Sequence, residues 1–190
     1  MLLLYVDDIV ITASRTDLLR DIIGRLGSEF WLKDLGALHF FLDINVRRDA
    51  SGFFLHQGQY ALDLLDHAGM TDCKPAATPA EAKPKLSAIA GQPATGVALY
   101  RSIVGALQYL TLTRPDILFA VQQVCLHMHS PCDVHWSLVK HILRYIRDTP
   151  TYGLRLHASA STELFAYTDV DWAGCPDTRQ STSDYLCLLR

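Results

Sequence analysis

Two adjacent carboxylates near the start of the chain are the first side chains that could do chemistry. Asp7 and Asp8 stand between two short apolar runs, residues 2–6 and 9–13. Adjacent carboxylates repel each other, so a tight turn that holds both is costly unless a cation or a basic group offsets them. Hard oxygen ligands suit Mg²⁺, and phosphoryl transfer with two metal ions requires such a carboxylate platform. The alternative interpretation is an ordinary Asp-Asp turn between two strands.

A second group of potential ligands is concentrated near residue 130. Cys and His side chains bind zinc in a tetrahedral arrangement. Five of them lie close together in the sequence: Cys125, His127, His129, Cys132 and His135. Their spacing fits no known zinc knuckle or finger, and along a helix Cys125 and His129 share a face that His127 does not. The pattern favours a helix end with incidental ligands over a metal site.

The carboxylate pair needs regular elements to position it. The two apolar runs around the acidic pair predict a hairpin over residues 2–13. A helix follows, with Thr16 as its N-cap and an apolar stripe at helical spacing that runs to Phe30. A second hairpin is predicted from one strand over residues 38–46, an Asp-Ala-Ser-Gly turn and a return strand over residues 53–56.

The rest of the chain divides into a linker, helices and further strands. A short helix over residues 59–68 should end at Gly69. The Pro- and Ala-rich segment that follows is predicted to be extended and mobile. Three amphipathic helices come next, with Tyr100, Pro115 and the capping residue Asp133 near their starts. Strands over residues 154–157 and 164–170 are predicted to begin a new sheet.

Composition excludes several classes of protein. The 190 residues are 49% hydrophobic and 19% charged, which excludes a disordered chain. The formal net charge of −3 provides no strong global field to attract nucleic acid. The N-terminal residues lack the pattern of a signal peptide, and no apolar run is long enough to span a bilayer. Five cysteines without a C-x-x-C pair indicate reduced thiols and an intracellular location.

Several blocks of sequence together resemble one known family. Leu4-Tyr5-Val6-Asp7-Asp8-Ile9 resembles the catalytic hairpin of reverse transcriptases, and the later blocks resemble the copia-type branch of LTR-retrotransposon Pol polyproteins. Those later blocks include Lys33-Asp34-Leu35-Gly36, Tyr100-Arg101-Ser102-Ile103-Val104-Gly105, Thr113-Arg114-Pro115-Asp116-Ile117 and Ala166-Tyr167-Thr168-Asp169-Val170-Asp171-Trp172. The last block is similar to the start of the family's RNase H domain. The resemblance covers essentially the whole chain. It would place the protein in a cytoplasmic particle or the nucleus.

The resemblance implies an α+β fold in successive parts. Residues 1–73 would be the C-terminal part of a reverse-transcriptase palm, built from hairpins and a helix, with residues 38–46 as the primer-grip-like hairpin. Residues 74–98 would be the linker. Residues 99–157 would form the helical thumb and connection region. Residues 158–190 would be the first strands of an RNase H-like fold.

The resemblance also implies roles for three carboxylates. Asp7 and Asp8 would be the catalytic palm residues that hold Mg²⁺ under the incoming dNTP, with Asp7 as the more direct ligand. Asp169 would be the first metal-binding carboxylate of the RNase H site. Asp171 lies two residues further on, so in a strand it points to the same face as Asp169.

Nucleic-acid contacts are implied at the hairpin and along the later helices. Tyr5 and Val6 would lie near the primer end or the template. The partner would be an RNA/DNA template–primer duplex, and no membrane is involved. Four basic residues are candidates for phosphate contacts: Arg101, Arg114, Lys140 and Arg144. For each one, a solvated helix face is the alternative interpretation.

The functional expectation is therefore part of an RNA-directed DNA polymerase with RNase H. Both sites would need further carboxylates, from palm and fingers segments before these residues and from RNase H segments after them, so we expect no activity from this chain alone. Two departures from the family pattern, Asp43 and Asp184, replace usual glycines. The alternative is a non-catalytic relic or a domesticated nucleic-acid-binding module.

Overall fold

Five helices and eight strands form in the residues that the computed structural model describes, which are 1–81, 87, 91–158 and 163–189. The helices are α1 Thr16–Glu29, α2 Gly58–His67, α3 Val97–Leu110, α4 Leu118–Cys125 and α5 Asp133–Asp148. The strands are β1 Leu2–Tyr5, β2 Asp8–Ile11, β3 Phe40–Phe41, β4 Ile44–Asp49, β5 Gly52–His56, β6 Gly153–His157, β7 Leu164–Asp171 and β8 Thr182–Leu189. The mixed helix and strand content confirms the predicted class. None of the helices in the described part of the chain is long and apolar enough to cross a membrane.

Helices α2 to α5 hold the hydrophobic core. On α3, Ile103, Val104, Leu107 and Leu110 are each at most 1% exposed. They recur at helical spacing, so one stripe of the helix faces its neighbours, as the periodicity predicts. Each such side chain contributes about 1.5–3 kcal/mol through burial. By contrast, α1 has no buried residue, although its apolar stripe predicts one.

The helix caps differ from the prediction by one residue. Helix α5 has Cys132 as its N-cap, and the ring Nδ1 of His135 accepts the Cys132 backbone N–H at 2.9 Å. The carboxylate of Asp133, the predicted cap, instead accepts the backbone N–H of Gln92 at 3.1 Å. Helix α1 similarly begins at Thr16 itself, so Thr16 is not its cap.

The strand predicted over residues 38–46 is wrong, because a tight turn divides it into β3 and β4. Phe40 pairs with Asn45 across this turn. Leu42 and Asp43 form the turn with φ values of 49° and 59°, both in the left-handed region. Turns with two left-handed residues match the twist of a hairpin, which explains how the chain reverses here.

The structure also differs from the prediction for residues 154–157. The residues expected to begin a new sheet instead pair antiparallel with β5, which gives the four-stranded order β3-β4-β5-β6. Gly153 faces the Leu55 carbonyl so closely that an added Cβ would clash with it. Strands β7 and β8 form a separate two-stranded sheet, and β1 and β2 form another.

The described ends of the predicted linker are bound to α5. The Arg144 Nε donates to the Lys74 carbonyl at 2.6 Å, and the Ala76 N–H donates to the Arg144 carbonyl at 3.2 Å. Near the other end, the Asp133 N–H donates to the Gln92 carbonyl at 3.0 Å. These ends are therefore hydrogen-bonded to α5, and the extended, mobile linker stays a prediction. Within this prediction, residues 82–86 and 88–90 lie outside the described residues.

Arg114 is a buried structural residue. Its side chain is 1% exposed and donates to the Thr149 carbonyl at 2.7 Å and to both Asp116 carboxylate oxygens at 2.8–2.9 Å. Burial alone would raise the pKa of the Asp116 carboxyl, but hydrogen bonds and charge from Arg114 hold that pKa below its ordinary value. Arg114 has no free surface for a phosphate, so the structure removes it from the predicted nucleic-acid contacts.

We expect Arg114→Lys to lower the free energy of unfolding by about 3 kcal/mol, because lysine cannot form the forked contacts and leaves buried acceptors unpaired. Urea unfolding followed by circular dichroism measures the change. Arg20→Lys on the exposed surface of α1 is the control and should change stability by less than about 0.5 kcal/mol. Equal effects of the two variants would contradict the structural role.

Candidate functional site

The Asp7-Asp8 pair lies at the tip of the β1–β2 hairpin, as predicted. Tyr5 pairs with Asp8 across the ladder, so Val6 and Asp7 form a two-residue turn. Val6 has φ of 48°, which is rare for a β-branched residue because its side chain crowds the backbone. Such strain is typical of functional turns, where surrounding structure holds an unfavourable conformation.

Both tip carboxylates are open to solvent. Asp7 and Asp8 are exposed, and neither carboxylate accepts a hydrogen bond or forms an ion pair within the described part of the chain. Two oxygen-donor groups in this state suit a hard divalent cation. No group of three Cys, His, Asp or Glu side chains among the described residues is arranged to hold a metal ion. The tip therefore provides two ligands and no complete cage.

The β3–β4 turn is attached to α3 by a side-chain hydrogen bond. The hydroxyl of Tyr109 on α3 donates to the Leu42 carbonyl at 2.5 Å. Burial raises the pKa of Tyr109, and the nearby groups Asp43 and Tyr5 raise it further. The hydrogen bond to Leu42 therefore attaches the β3–β4 turn to the C-terminal end of α3.

Tyr109 is a residue that sequence reasoning missed. Its ring packs edge-on against Tyr60 with centroids 5.3 Å apart, and the Tyr60 hydroxyl donates to the Ala106 carbonyl at 3.4 Å. Its place at the border of the α3 apolar stripe is the only sequence signal, and a tyrosine there is equally compatible with simple packing.

Asp43 has a left-handed backbone conformation, which the glycine usual at this position in the family pattern would adopt more easily. Asp adopts this conformation more readily than most residues, so the departure from the family pattern is tolerated by the backbone. Leu42, at φ 49°, is the more strained of the two turn residues. The exposed Asp43 carboxylate adds a negative charge to the β3–β4 turn.

Asp169 lies in the separate β7–β8 sheet. It sits directly opposite Asp184, and Asp171 lies two residues along the same strand, so all three share one face as strand geometry predicts. Like charges directly opposite each other destabilise a strand pair. The Asp169 carboxylate accepts the Val170 N–H at 2.9 Å.

The remaining predicted phosphate contacts have different surroundings. Arg101 donates to the Met128 carbonyl at 2.8 Å and to the His129 carbonyl at 2.9 Å. Arg144 is half-buried and is bound to the Lys74 carbonyl. Lys140 is exposed on α5. Only part of the guanidinium of each arginine is therefore available to a phosphate.

Comparison with known proteins decides the family. The family model described as reverse transcriptase (RNA-dependent DNA polymerase) matches residues 1–82. The chain is 43% identical over 188 residues to the Pol polyprotein of transposon RE2 from Arabidopsis thaliana, and 35% identical over 195 residues to that of transposon TNT 1-94 from Nicotiana tabacum. This chain belongs to the reverse transcriptase family of copia-type retrotransposon Pol polyproteins. The resemblance stated from the sequence blocks is confirmed.

The relatives differ widely in how much of their length this chain spans. It covers 78% of an uncharacterized mitochondrial protein of Arabidopsis thaliana, to which it is 47% identical over 188 residues. It spans only 13% of the RE2 polyprotein and 15% of the TNT 1-94 polyprotein, while 99% and 98% of this chain is aligned. No solved structure matches the chain.

The Cys and His cluster of this reverse transcriptase chain contains a stacked histidine pair. The rings of His127 and His135 lie 3.7 Å apart and nearly parallel. Because His135 Nδ1 accepts the Cys132 N–H, Nε2 carries the proton and faces the Ser87 carbonyl at 3.3 Å. Burial lowers the pKa of both rings, and His135 lowers that of His127 further, while Asp133 and Asp177 oppose the shifts.

We expect acidification to destabilise the fold through these histidines. Below the ordinary histidine pKa of 6.5, the unfolded chain binds more protons than the folded chain, so stability falls as pH falls toward the lowered folded-state pKa values. Urea unfolding should give a lower free energy at about pH 5.5 than at about pH 7.5. A double variant, His127→Gln with His135→Gln, keeps polar side chains and should show a weaker dependence. An unchanged dependence would contradict this cause.

Proposed function

We propose that the β1–β2 tip carries the metal-binding carboxylates of an RNA-directed DNA polymerase, acting within an intact Pol protein. Reverse transcriptases act on a nucleic-acid template and deoxynucleotides, and they use a divalent metal ion. The observation that supports this proposal best is the exposed, unpaired Asp7-Asp8 pair at a strained turn. A buried or ion-paired Asp-Asp turn would favour a purely structural role.

Asp7 and Asp8 fit Mg²⁺ by their chemistry, since this ion is usually bound through one or two carboxylates together with substrate phosphates. When bound, the ion would neutralise charge on the transferred phosphoryl group. The two carboxylates are not equivalent, because Asp7 belongs to the turn and Asp8 to β2. We assign Asp7 as the more direct ligand.

The β3–β4 turn supports a role in positioning the primer. The Tyr109 hydroxyl donates to the Leu42 carbonyl, so the β3–β4 turn is attached to helix α3. Tyr5 and Val6 belong to the β1–β2 hairpin and would contact the primer end or the template. The rate of phosphoryl transfer depends on placing the reacting groups to within a fraction of an ångström. Attachment of the β3–β4 turn to α3 would help to fix that placement.

A second proposed site is the RNase H carboxylate Asp169. Its strand partner Asp184 brings a like charge to the same face, where the family has glycine. A metal ion would offset this repulsion, whereas without one the pair is destabilising. We propose residues 158–190 as the beginning of that domain.

The second candidate function is non-catalytic nucleic-acid binding. Two observations favour it: the tip supplies two carboxylates where a two-metal site needs more, and Asp43 adds negative charge where a primer phosphate would pass. We propose that these 190 residues alone do not extend primers. Binding by Arg101, Lys140 and Arg144 would then be weak and dependent on salt.

We expect Mn²⁺, used as a paramagnetic substitute for Mg²⁺, to broaden the amide resonances of residues 5–9 in this chain selectively. Asp7→Asn should weaken this effect strongly, because it removes the more direct ligand. A titration followed by two-dimensional NMR of the amides provides the measurement.

The control for this titration is Asp72→Asn, which changes an exposed aspartate in another turn and should leave the broadening unchanged. Equal broadening in the wild type and Asp7→Asn would show that the ion binds elsewhere. That result would contradict the assignment of Asp7.

A further inference from the structure

The two faces of the four-stranded sheet differ in chemistry. The register places basic, aromatic and polar side chains on one side, which we call the basic-aromatic face: Phe40, Asn45, Arg47, Asp49, Phe54, His56, Arg155 and His157. The opposite, apolar face carries Phe41, Ile44, Val46, Arg48, Phe53, Leu55, Leu154 and Leu156.

The rings at the centre of the basic-aromatic face are already arranged as a stack. The guanidinium carbon of Arg155 lies 5.3 Å from the Phe54 ring centroid. His56 stacks on the same ring at 5.5 Å with planes 29° apart. Gly153 on the adjacent strand leaves room for this arrangement, since an added Cβ would lie 2.9 Å from Cζ of Phe54.

Asp49 fixes the position of Arg155. Its carboxylate accepts from Arg155 Nη1 at 2.5 Å and from the Ser51 hydroxyl at 2.6 Å. Hydrogen bonds from Ser51 and then from Arg155 hold the pKa of Asp49 well below its usual range, so the carboxylate is ionised at neutral pH. The guanidinium is therefore held over Phe54 before any ligand arrives, which lowers the entropic cost of binding.

The face remains cationic and open. Arg47 is exposed and forms no ion pair within the described residues, so it adds a positive charge that Asp49 does not offset. Phe40 is 51% exposed at the β3 edge, while Arg155 and His157 are exposed at the β6 edge. An anionic ligand with flat rings would complement both properties of this surface.

Single-stranded nucleic acid has this combination of properties. Unpaired bases stack on aromatic rings and guanidinium planes, and the phosphates between them pair with nearby arginines. A duplex keeps its bases stacked internally and cannot use the rings in this way. The face spans four strands, so its width suits an extended strand of a few nucleotides.

We propose that the basic-aromatic face binds single-stranded nucleic acid, with bases stacked on Phe40 and on the Phe54–Arg155 pair and a phosphate held by Arg47. This inference deepens the proposed function by naming the class of nucleic acid and the surface that takes it. It does not depend on metal binding at Asp7.

The neighbouring residues Arg47 and Arg48 provide a matched pair of variants. Both are exposed arginines on β4, but they lie on opposite faces, and Arg48 stacks on Phe53 as Arg155 does on Phe54. Fluorescence anisotropy with labelled DNA and RNA strands of about twelve nucleotides measures affinity at about 50 mM salt. Arg47→Gln should weaken binding about fivefold and reduce the salt slope by about 0.7, whereas Arg48→Gln should do neither.

A second matched pair tests the stacking contribution. Phe54→Leu should weaken single-strand binding about fivefold or more, while Phe53→Leu on the apolar face should have little effect. Thermal melting of each variant shows whether the fold is retained. Comparison of the DNA and RNA strands identifies which of the two this face prefers, and either preference supports the proposal.

Four results would overturn the proposal. They are no binding of either single strand by the wild type, tighter binding of a duplex than of a single strand, and equal losses for Arg47→Gln and Arg48→Gln. The fourth is loss of binding only in Lys140→Gln, which would place the nucleic acid on the helices. Each of these results would leave the metal assignment at Asp7 intact, because that assignment is read separately by Mn²⁺ broadening.

Discussion

The buried guanidinium of Arg114 is the constraint on which the arrangement of helices and sheet depends. It ties the corner after α3 to Thr149 just after α5, and β6 begins shortly afterwards at Gly153. A second buried contact, from the Thr113 hydroxyl to Gln57 at 2.9 Å, joins the same corner to the start of α2. Because β6 completes the sheet beside β5, one buried charge fixes where the sheet meets the helical core.

The four-stranded sheet carries the candidate binding face, whereas the candidate catalytic tip lies on the separate β1–β2 hairpin. The Tyr109 hydroxyl holds the β3–β4 turn on α3. From that turn, β3 leads directly to Phe40 at the edge of the basic-aromatic face.

Sequence reasoning succeeded where local pattern decides structure. The spacing of Val104 and Leu107 identifies a buried helix face, and the acidic pair between apolar runs identifies its hairpin. It failed where tertiary context decides. Leu42-Asp43 carries no turn signal inside an apolar run, and the pairing of β6 depends on a partner some hundred residues earlier. Arg114 was predicted to contact phosphate because arginines are seldom fully buried. Its pairing with Asp116 and Thr149 is what allows it to be buried here.

Primer extension by a chimaera tests the central claim, that Asp7 is a catalytic metal ligand. The chimaera carries this chain in place of the segment of the transposon RE2 polyprotein to which it is 43% identical. We expect the chimaera to extend a primer on an RNA template, Asp7→Asn to abolish this extension and Asp72→Asn to retain it. Undiminished extension by the Asp7→Asn chimaera would contradict the assignment, and an inactive parent chimaera would favour the non-catalytic function.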